Sequence, residues 1–338
     1  MGVQLGDLVH PTEVALPTLR GKRLALDAYN MFYQFLATIR QPDGQPFTAP
    51  DGAITSHLVG ILYRTSSLLT NGILPVLVFD GKPLELKAAT LRVRALAKAR
   101  AEQQWEEALA AGDLERAKKK AGATSRMTPE MSDRAKELAS LLGVPVVQAP
   151  SEGEAQATHM ARKGEVWGVA SEDYDNLLFG APRLVKGLAA LRTVGSNPGT
   201  VRVIETAQVL RDLDVTQEEL VVMGMLMGTD FNEGFTGIGP KKALKLIHEH
   251  LGYEATVRKV GGDPETLLPV RAIFQSPPST DDYSLQWKSP DADRLRTFLV
   301  TENGFEASRV ERVIDRLRNL PAPTTARQSA LDAFGEGA

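Results

Sequence analysis

Acidic residues recur where apolar runs end, and that placement is the first sign of chemistry in this chain. Arg23-Leu-Ala-Leu-Asp27 closes on Asp27 and Pro75-Val-Leu-Val-Phe-Asp80 on Asp80. The apolar run 144–148 is followed by Ser151-Glu152-Gly153-Glu154, and the run 166–170 by Ser171-Glu172-Asp173-Tyr174-Asp175. A further acid, Asp230, stands in Gly228-Thr-Asp230 after an apolar helical pattern. Within each doublet the acids are two apart, which in an extended segment aims both side chains the same way. Any single Asp at a strand end reads more readily as a turn or cap residue. Four strand ends agreeing is a stronger signal. Seven clustered carboxylates (Asp27, Asp80, Glu152, Glu154, Asp173, Asp175, Asp230) repel one another unless cations neutralise them, and all-oxygen donors suit hard Mg²⁺ or Mn²⁺. The expected chemistry is phosphoryl or phosphodiester transfer with two metals roughly 3.5–4 Å apart.

Bringing these acids together requires strands whose carboxyl ends share an edge. Runs at 23–27, 75–80, 144–148, 166–170 and 201–205 read as buried strands, and 54–70, 84–111, 130–142 and 152–163 have helical spacing. Strand–helix alternation predicts an α/β fold with a mainly parallel central sheet flanked by helices, where ligands bind at the carboxyl ends of the strands. Beyond residue 206 only helical patterns remain, at 206–212, 216–228, 240–250, 291–302 and 306–319. Residues 262–290, with five prolines, read as a loop crossing the surface. From 321 the chain is too polar and small to bury anything and reads as a mobile tail.

Composition narrows the chemistry. The 338 residues carry 39 basic and 42 acidic side chains, a net charge of −3, and no Cys, which removes disulfides, thiolate metal sites and Cys nucleophiles. No apolar run approaches 18 residues and the first ten residues lack the blocks of a signal peptide, so a cytoplasmic protein with no membrane association is expected. Residues 82–126 hold eleven basic residues against six acids, a basic segment in an acidic chain. A solvated helical face laced with ion pairs is its plainest explanation. Its weak, Ala-rich apolar stripe suggests a helical excursion not packed tightly on the sheet. No Gly-x-Gly-x-x-Gly follows the first strand and no Gly-x-x-x-x-Gly-Lys-Ser/Thr occurs, which disfavours dinucleotides and P-loop nucleotides. Gly237-Ile-Gly-Pro-Lys-Lys242 opens a basic helix whose N–H groups and lysines can hold a sugar-phosphate backbone; a glycine turn with solvated lysines is the bland alternative.

Taken in order, Met1-Gly-Val-Gln-Leu-Gly-Asp7, Ala25-Leu-Asp-Ala28, Val78-Phe-Asp-Gly-Lys-Pro83, Ala149-Pro-Ser-Glu-Gly-Glu-Ala155, Ser171-Glu-Asp-Tyr-Asp175, Leu178-Phe-Gly180, Gly228-Thr-Asp230 and Gly237-Ile-Gly-Pro240 resemble the structure-specific XPG-type nucleases that include flap endonuclease, in their compact archaeal form. The resemblance covers essentially the whole chain. It implies a PIN-like nuclease domain over 1–319, made of an N-terminal part (1–81), a helical arch (about 82–126), an internal part (about 127–250) containing a helix-two-turn-helix (about 217–250), and C-terminal helices (251–319). It further implies that the seven acids hold two Mg²⁺ and that Lys87 and Arg94 face the scissile phosphate. Seven residues are two helical turns, so those two cations project from one side.

By the same resemblance Gly2, Tyr33, Arg40, Thr55 and Arg64 are DNA contacts, although Tyr33 suits a core and Arg40, Thr55 and Arg64 suit a solvated surface by pattern alone. Gly237, Gly239, Lys241 and Lys242 would track duplex DNA with a bound K⁺. In the tail (320–338), Gln328, Leu331 and Phe334 resemble the box that binds the sliding clamp, proliferating cell nuclear antigen, with Gly335 in place of a second aromatic. The implied function is 5′ flap endonuclease and 5′-3′ exonuclease activity on branched DNA, in lagging-strand processing and long-patch base excision repair, by a nucleoid-associated monomer. A related 5′ exonuclease or junction or bubble nuclease is the alternative enzyme, and a catalytically silent clamp adaptor the alternative of another class.

Overall fold

The computed structural model describes residues 2–191, 199–318 and 320. Its strands are β1 (Thr12–Ala15), β2 (Arg23–Asp27), β3 (Leu74–Phe79), β4 (Val146–Gln148), β5 (Gly168–Ala170), β6 (Arg183–Lys186) and β7 (Thr200–Glu205). The helices of the first half are α1 (Ala28–Thr38), α2 (Ser56–Thr70), α3 (Ala88–Ala110), α4 (Leu114–Ala121), α5 (Pro129–Leu141), α6 (Gly153–Arg162) and α7 (Asp175–Leu178). Those of the second are α8 (Thr206–Leu213), α9 (Gln217–Met227), α10 (Pro240–Ile247), α11 (Gly252–Lys259), α12 (Pro264–Gln275), α13 (Ala292–Arg296) and α14 (Ala307–Arg318).

The strands form one sheet in the order β1-β7-β6-β5-β2-β3-β4. β2 through β6 pair in parallel, while β7 pairs antiparallel with both β6 and β1, so β7 alone runs against the other strands. The mainly parallel α/β sheet expected from sequence is therefore present. β1 and β6 escape the sequence because polar and charged residues break their apolar runs, Thr-Glu-Val-Ala on a largely exposed edge and Arg-Leu-Val-Lys. β2 has β3 on one side and β5 on the other, so the chain reverses direction across the sheet there. That switch point is where a crevice opens at the carboxyl ends of the strands.

Strand alternation sorts the core into layers. Leu24, Leu26, Leu77 and Phe79 face Phe32 and Phe35 of α1 and Leu58, Ile61 and Leu62 of α2. Ala25, Val76, Val78, Val147 and Val169 face Ala157, Met160 and Ala161 of α6. Leu184 and Ile204 join a third cluster with Leu220, Met223 and Leu226 of α9, Leu246 of α10 and Phe274 of α12. Gly60 lets α1 and α2 close up, since a Cβ there would stand 2.2 Å from the Phe35 ring.

The reading of 262–290 as a surface loop is corrected: α12 occupies its first half. Pro264 sits at the first helical position, where its missing N–H costs nothing, and the Asp263 side chain accepts from Glu265 N–H. Val270 and Phe274 anchor the helix despite Pro269 inside it. The rest, 276–291, is an extended strap whose Trp287 Nε1 donates to Pro75 O at 2.8 Å. The basic excursion is α3 packed on α4. Of α3 only Ala101 and Ala108 are buried, and Val93 and Leu96 are each 64% exposed.

Candidate active site

The seven acids line one cavity of 940 Å³, together with Lys87, Arg94 and Tyr33. Asp27 ends β2 and caps α1, its Oδ1 accepting from Asn30 N–H at 3.0 Å. Asp80 follows β3, and its Oδ1 accepts from Gly153 N–H at 2.6 Å. A Cβ on Gly153 would stand 2.6 Å from that same oxygen, so glycine is what admits the Asp80 carboxylate to the start of α6. Asp175 Oδ1 accepts from Val3 N–H at 2.6 Å, and Gly2 N–H reaches Asp173 Oδ1 at 3.4 Å, which packs the chain start against the site.

The two-apart spacing does not act as the extended-strand argument supposed. Glu152 is the N-cap of α6 and Glu154 lies in its first turn, while Asp175 is the first residue of α7. The doublets are thus carried on helix starts, where the unpaired N–H groups favour negative charge.

Burial and mutual repulsion dominate the electrostatics. Burial, then the charge of Asp80, pushes the Asp27 carboxyl up to about 8, and burial with Glu152 pushes Asp80 to about 6. Burial raises Asp175 to about 7 against the opposing Val3 hydrogen bond, and raises Glu154 with help from Asp173 and Asp175. Among the described residues no three acids stand as a ready-made cage around one point, so the cluster is a lined crevice. The donor set is all carboxylate oxygen and its surplus negative charge is under strain, which fits hard divalent cations.

Two cations of the excursion meet this charge. Lys87 Nζ bonds Glu152 and lies 3.3 Å from Asp230 Oδ2; Arg94 Nη2 pairs with Asp230 Oδ1. Burial pulls the Lys87 ammonium down, but Glu152 and Asp230 outweigh it and hold the proton on. Lys87 ends a short 3-10 turn just before α3, and Arg94 lies two turns into α3, so both reach the same acid.

The other site residues named from sequence are distributed unevenly. Tyr33 lines the cavity with Lys98 Nζ 4.2 Å above its ring, so its side chain is not a core group. The solvated-surface reading of Arg40, Thr55 and Arg64 is corrected. Thr55 is 3% and Arg64 9% exposed, and Arg64 Nη2 donates to Ala189 O at 2.8 Å and to Leu191 O. Arg40 donates to Leu36 O at 2.7 Å and Gly44 O at 2.8 Å, tying a loop to α1. None of the three lines the cavity. Gly237 and Gly239 lie exposed in the α9–α10 connection and Lys241 and Lys242 exposed in the first turn of α10, and a Cβ on either glycine would meet nothing within 4 Å. Gln328, Leu331 and Phe334 lie outside the described residues.

Sequence reasoning missed Lys98, Asn30 and Asn176. Lys98 stands four residues after Arg94 on the same helical face, a spacing that could have revealed it. Asn176 Nδ2 donates to Glu154 Oε1 at 2.9 Å and Asn30 Nδ2 to Asp173 Oδ2 at 2.8 Å. Asn30 falls one turn after Asp27, a faint signal.

Among the described residues no helix is long and apolar enough to cross a membrane. The chain matches the XPG N-terminal domain over residues 1–101 and the XPG I-region over 143–230. It is 45% identical to flap endonuclease 1 of Aeropyrum pernix over 348 residues, covering 99% of both chains. It is also 45% identical to flap endonuclease 1 of Methanothermobacter thermautotrophicus, covering 99% of this chain and 100% of the other. The solved flap endonuclease-1 from Methanococcus jannaschii superimposes with a TM-score of 0.76 at 42% identity, over 94% of this chain and 98% of that one. The Rad2 catalytic core, at 24% identity and a TM-score of 0.68, shares the fold. Nucleases of this kind depend on metal, in keeping with the acid cluster. The chain belongs to the flap endonuclease 1 family of XPG-type nucleases and is a structure-specific flap nuclease that hydrolyses phosphodiester bonds.

Proposed function

We propose that the chain cuts branched DNA at the base of a 5′ flap by two-metal hydrolysis, with Asp27, Asp80, Glu152, Glu154, Asp173, Asp175 and Asp230 holding two Mg²⁺, or Mn²⁺ in their place. The observation that carries this is seven carboxylates from both sides of the β2 switch point lining one cavity that Lys87, just before α3, and Arg94 of α3 also enter. When bound, a divalent pair supplies Lewis-acid charge that eases deprotonation of a water and stabilises the departing 3′ oxygen.

The chain's own groups supply the rest. Lys87 keeps its proton, so it offers a fixed positive charge to the phosphate undergoing attack, and Arg94 adds a planar fork of donors beside it. Tyr33, at the cavity edge, presents a ring face for the base next to the cut. Setting the seven acids aside leaves 35 acids against 39 cations, so the remaining surface attracts a polyanion.

The exposed Gly237 and Gly239, followed by Lys241 and Lys242, are proposed to grip the uncut duplex with K⁺ in the connection, since bare backbone there lets phosphate approach. Gly2, Arg40, Thr55 and Arg64 are proposed to act around the junction, the last three by shaping the surface from within. The tail residues Gln328, Leu331 and Phe334 are proposed to bind the sliding clamp. The domain is read as one nuclease body over 1–319, acting as a monomer on the nucleoid in replication and repair. A panel of labelled flap, gapped, bubble and four-way DNA, with Mg²⁺ or EDTA and with or without clamp, tests this. Equal cutting of all four substrates, or cutting in EDTA, would overturn the proposal.

A further inference from the structure

Asp27, Asp80 and Asp175 take hydrogen bonds from the peptide N–H groups of Asn30, Gly153 and Val3, whereas Glu154 and Asp173 are each held by a side-chain amide. Asp173 is the one bridged to α1. Its Oδ2 accepts from the Asn30 carboxamide at 2.8 Å, and its Oδ1 has the long 3.4 Å contact from Gly2 N–H. We propose that Asn30 is a positioning residue that aims the Asp173 carboxylate for divalent-cation binding, with Gln34 fixing the direction of its amide. This rests on the metal-nuclease reading above and adds a residue that the acid pattern does not contain.

An asparagine near a helix start ordinarily bonds its own backbone. Here the side chain spans to the loop after β5, donating to Asp173 and accepting from Glu172 N–H at 3.3 Å, 143 and 142 residues away. The backbone N–H of the same residue holds Asp27. One residue thereby ties the acids of β2 and β5 to each other. Gln34, one turn along α1, donates through Nε2 to Asn30 Oδ1 at 2.8 Å. With its oxygen engaged twice, the amide must turn its NH₂ end to Asp173; reversed, it would set a carbonyl oxygen against a carboxylate. A neutral donor is suited to this task because it orients the carboxylate without cancelling its charge, whereas Lys87 and Arg94 compete with a metal for the acids they touch.

The test measures Mn²⁺ binding by electron paramagnetic resonance on the full chain without DNA, in wild type, Asn30→Leu, Gln34→Leu and Asp173→Asn. Asn30→Leu is expected to weaken Mn²⁺ binding about 10–100-fold and Gln34→Leu by a smaller factor, the range seen when an outer partner of a metal ligand is lost. Flap-DNA affinity in EDTA should match wild type, and cleavage by Asn30→Leu should recover in excess Mn²⁺. A merely structural role would lower the melting temperature without moving Mn²⁺ affinity and would not respond to added metal. Wild-type Mn²⁺ affinity in Asn30→Leu, or weakened flap binding in EDTA, overturns the assignment. Should Asn30→Leu fail to fold, wild-type affinity in Gln34→Leu overturns it instead. If Asp173→Asn also binds Mn²⁺ normally, the acid reading itself falls; if only the Asn30 and Gln34 variants do, that reading stands and this inference fails alone.

Discussion

Arg94 pairs with the Asp230 carboxylate although 136 residues of chain separate them. Asp230 also lies 3.3 Å from Lys87, so one acid after α9 receives both cations delivered by the excursion. The α3 helix, which buries almost nothing of its own, is thus tied to the sheet edge by charge.

That pairing sets the first expectation. Arg94→Ala should slow single-turnover flap cleavage about a hundredfold or more, the loss seen when one donor to a developing charge is removed. Flap affinity, read by fluorescence anisotropy in EDTA, should change little. A defect confined to affinity would contradict the role of Arg94 at the phosphate.

Asp80→Ala and Asp173→Ala should each abolish cleavage in Mg²⁺ while circular dichroism and flap binding stay near wild type, because the acids carry metal and not the fold. Asp27→Asn should also be inactive, yet melt higher than wild type in EDTA near pH 8. It removes a charge that burial and Asp80 oppose and keeps an N-cap oxygen for α1. Turnover by any of the three in Mg²⁺ ends the metal assignment.

Two sets of buried groups should give stability opposing dependences on pH. Asp27, Asp80 and Asp175 ionise near 4 when unfolded but near 8, 6 and 7 when folded and metal-free, so the native state binds more protons across that window. Their contribution is greatest below about pH 4 and is lost as pH rises toward 8. His57 works the other way: burial holds it down to about 4 and it bonds Met131 O at 3.1 Å, so its contribution is lost as pH falls from about 6.5 through 4. Melting curves in EDTA and in excess Mg²⁺ separate the two. Mg²⁺ should remove the acids' decline toward pH 8 and uncover the acid-side decline, which His57→Gln should then remove.

Gly153→Ala sets helix propensity against site geometry. Alanine is worth up to about 1 kcal/mol over glycine within a helix. At Gly153, however, its Cβ would press on Asp80 Oδ1 at 2.6 Å. The expected outcome is a folded protein with cleavage at least tenfold slower and weaker Mg²⁺ activation. Wild-type activity would show that Asp80 does not depend on this approach.

Five strands were legible because each lies in an apolar run, and the acids because they punctuate those runs. β1 and β6 were not, because Thr-Glu-Val-Ala and Arg-Leu-Val-Lys are broken by polar and charged residues, and α12 was hidden by prolines whose positions a helix tolerates. Arg64 and Thr55 show the same limit at the level of side chains. Polar residue types suggest a surface, and only packing against the chain near Ala189 and Leu191, and against the loop before α2, puts them inside.

Local sequence fixes residue type, period and turn chemistry, so it alone determined that this protein has an α/β sheet, an acid at each of several strand ends and a separate basic helix. What it could not carry is distance between parts remote along the chain. Strand order decided that the acids share one crevice, and the return of α9 behind the sheet decided that Asp230 meets Lys87 and Arg94. Folding also decided that Asn30, an unremarkable polar residue in sequence, holds Asp173. These relationships arise from burial summed over the whole core, which no short window of residues contains.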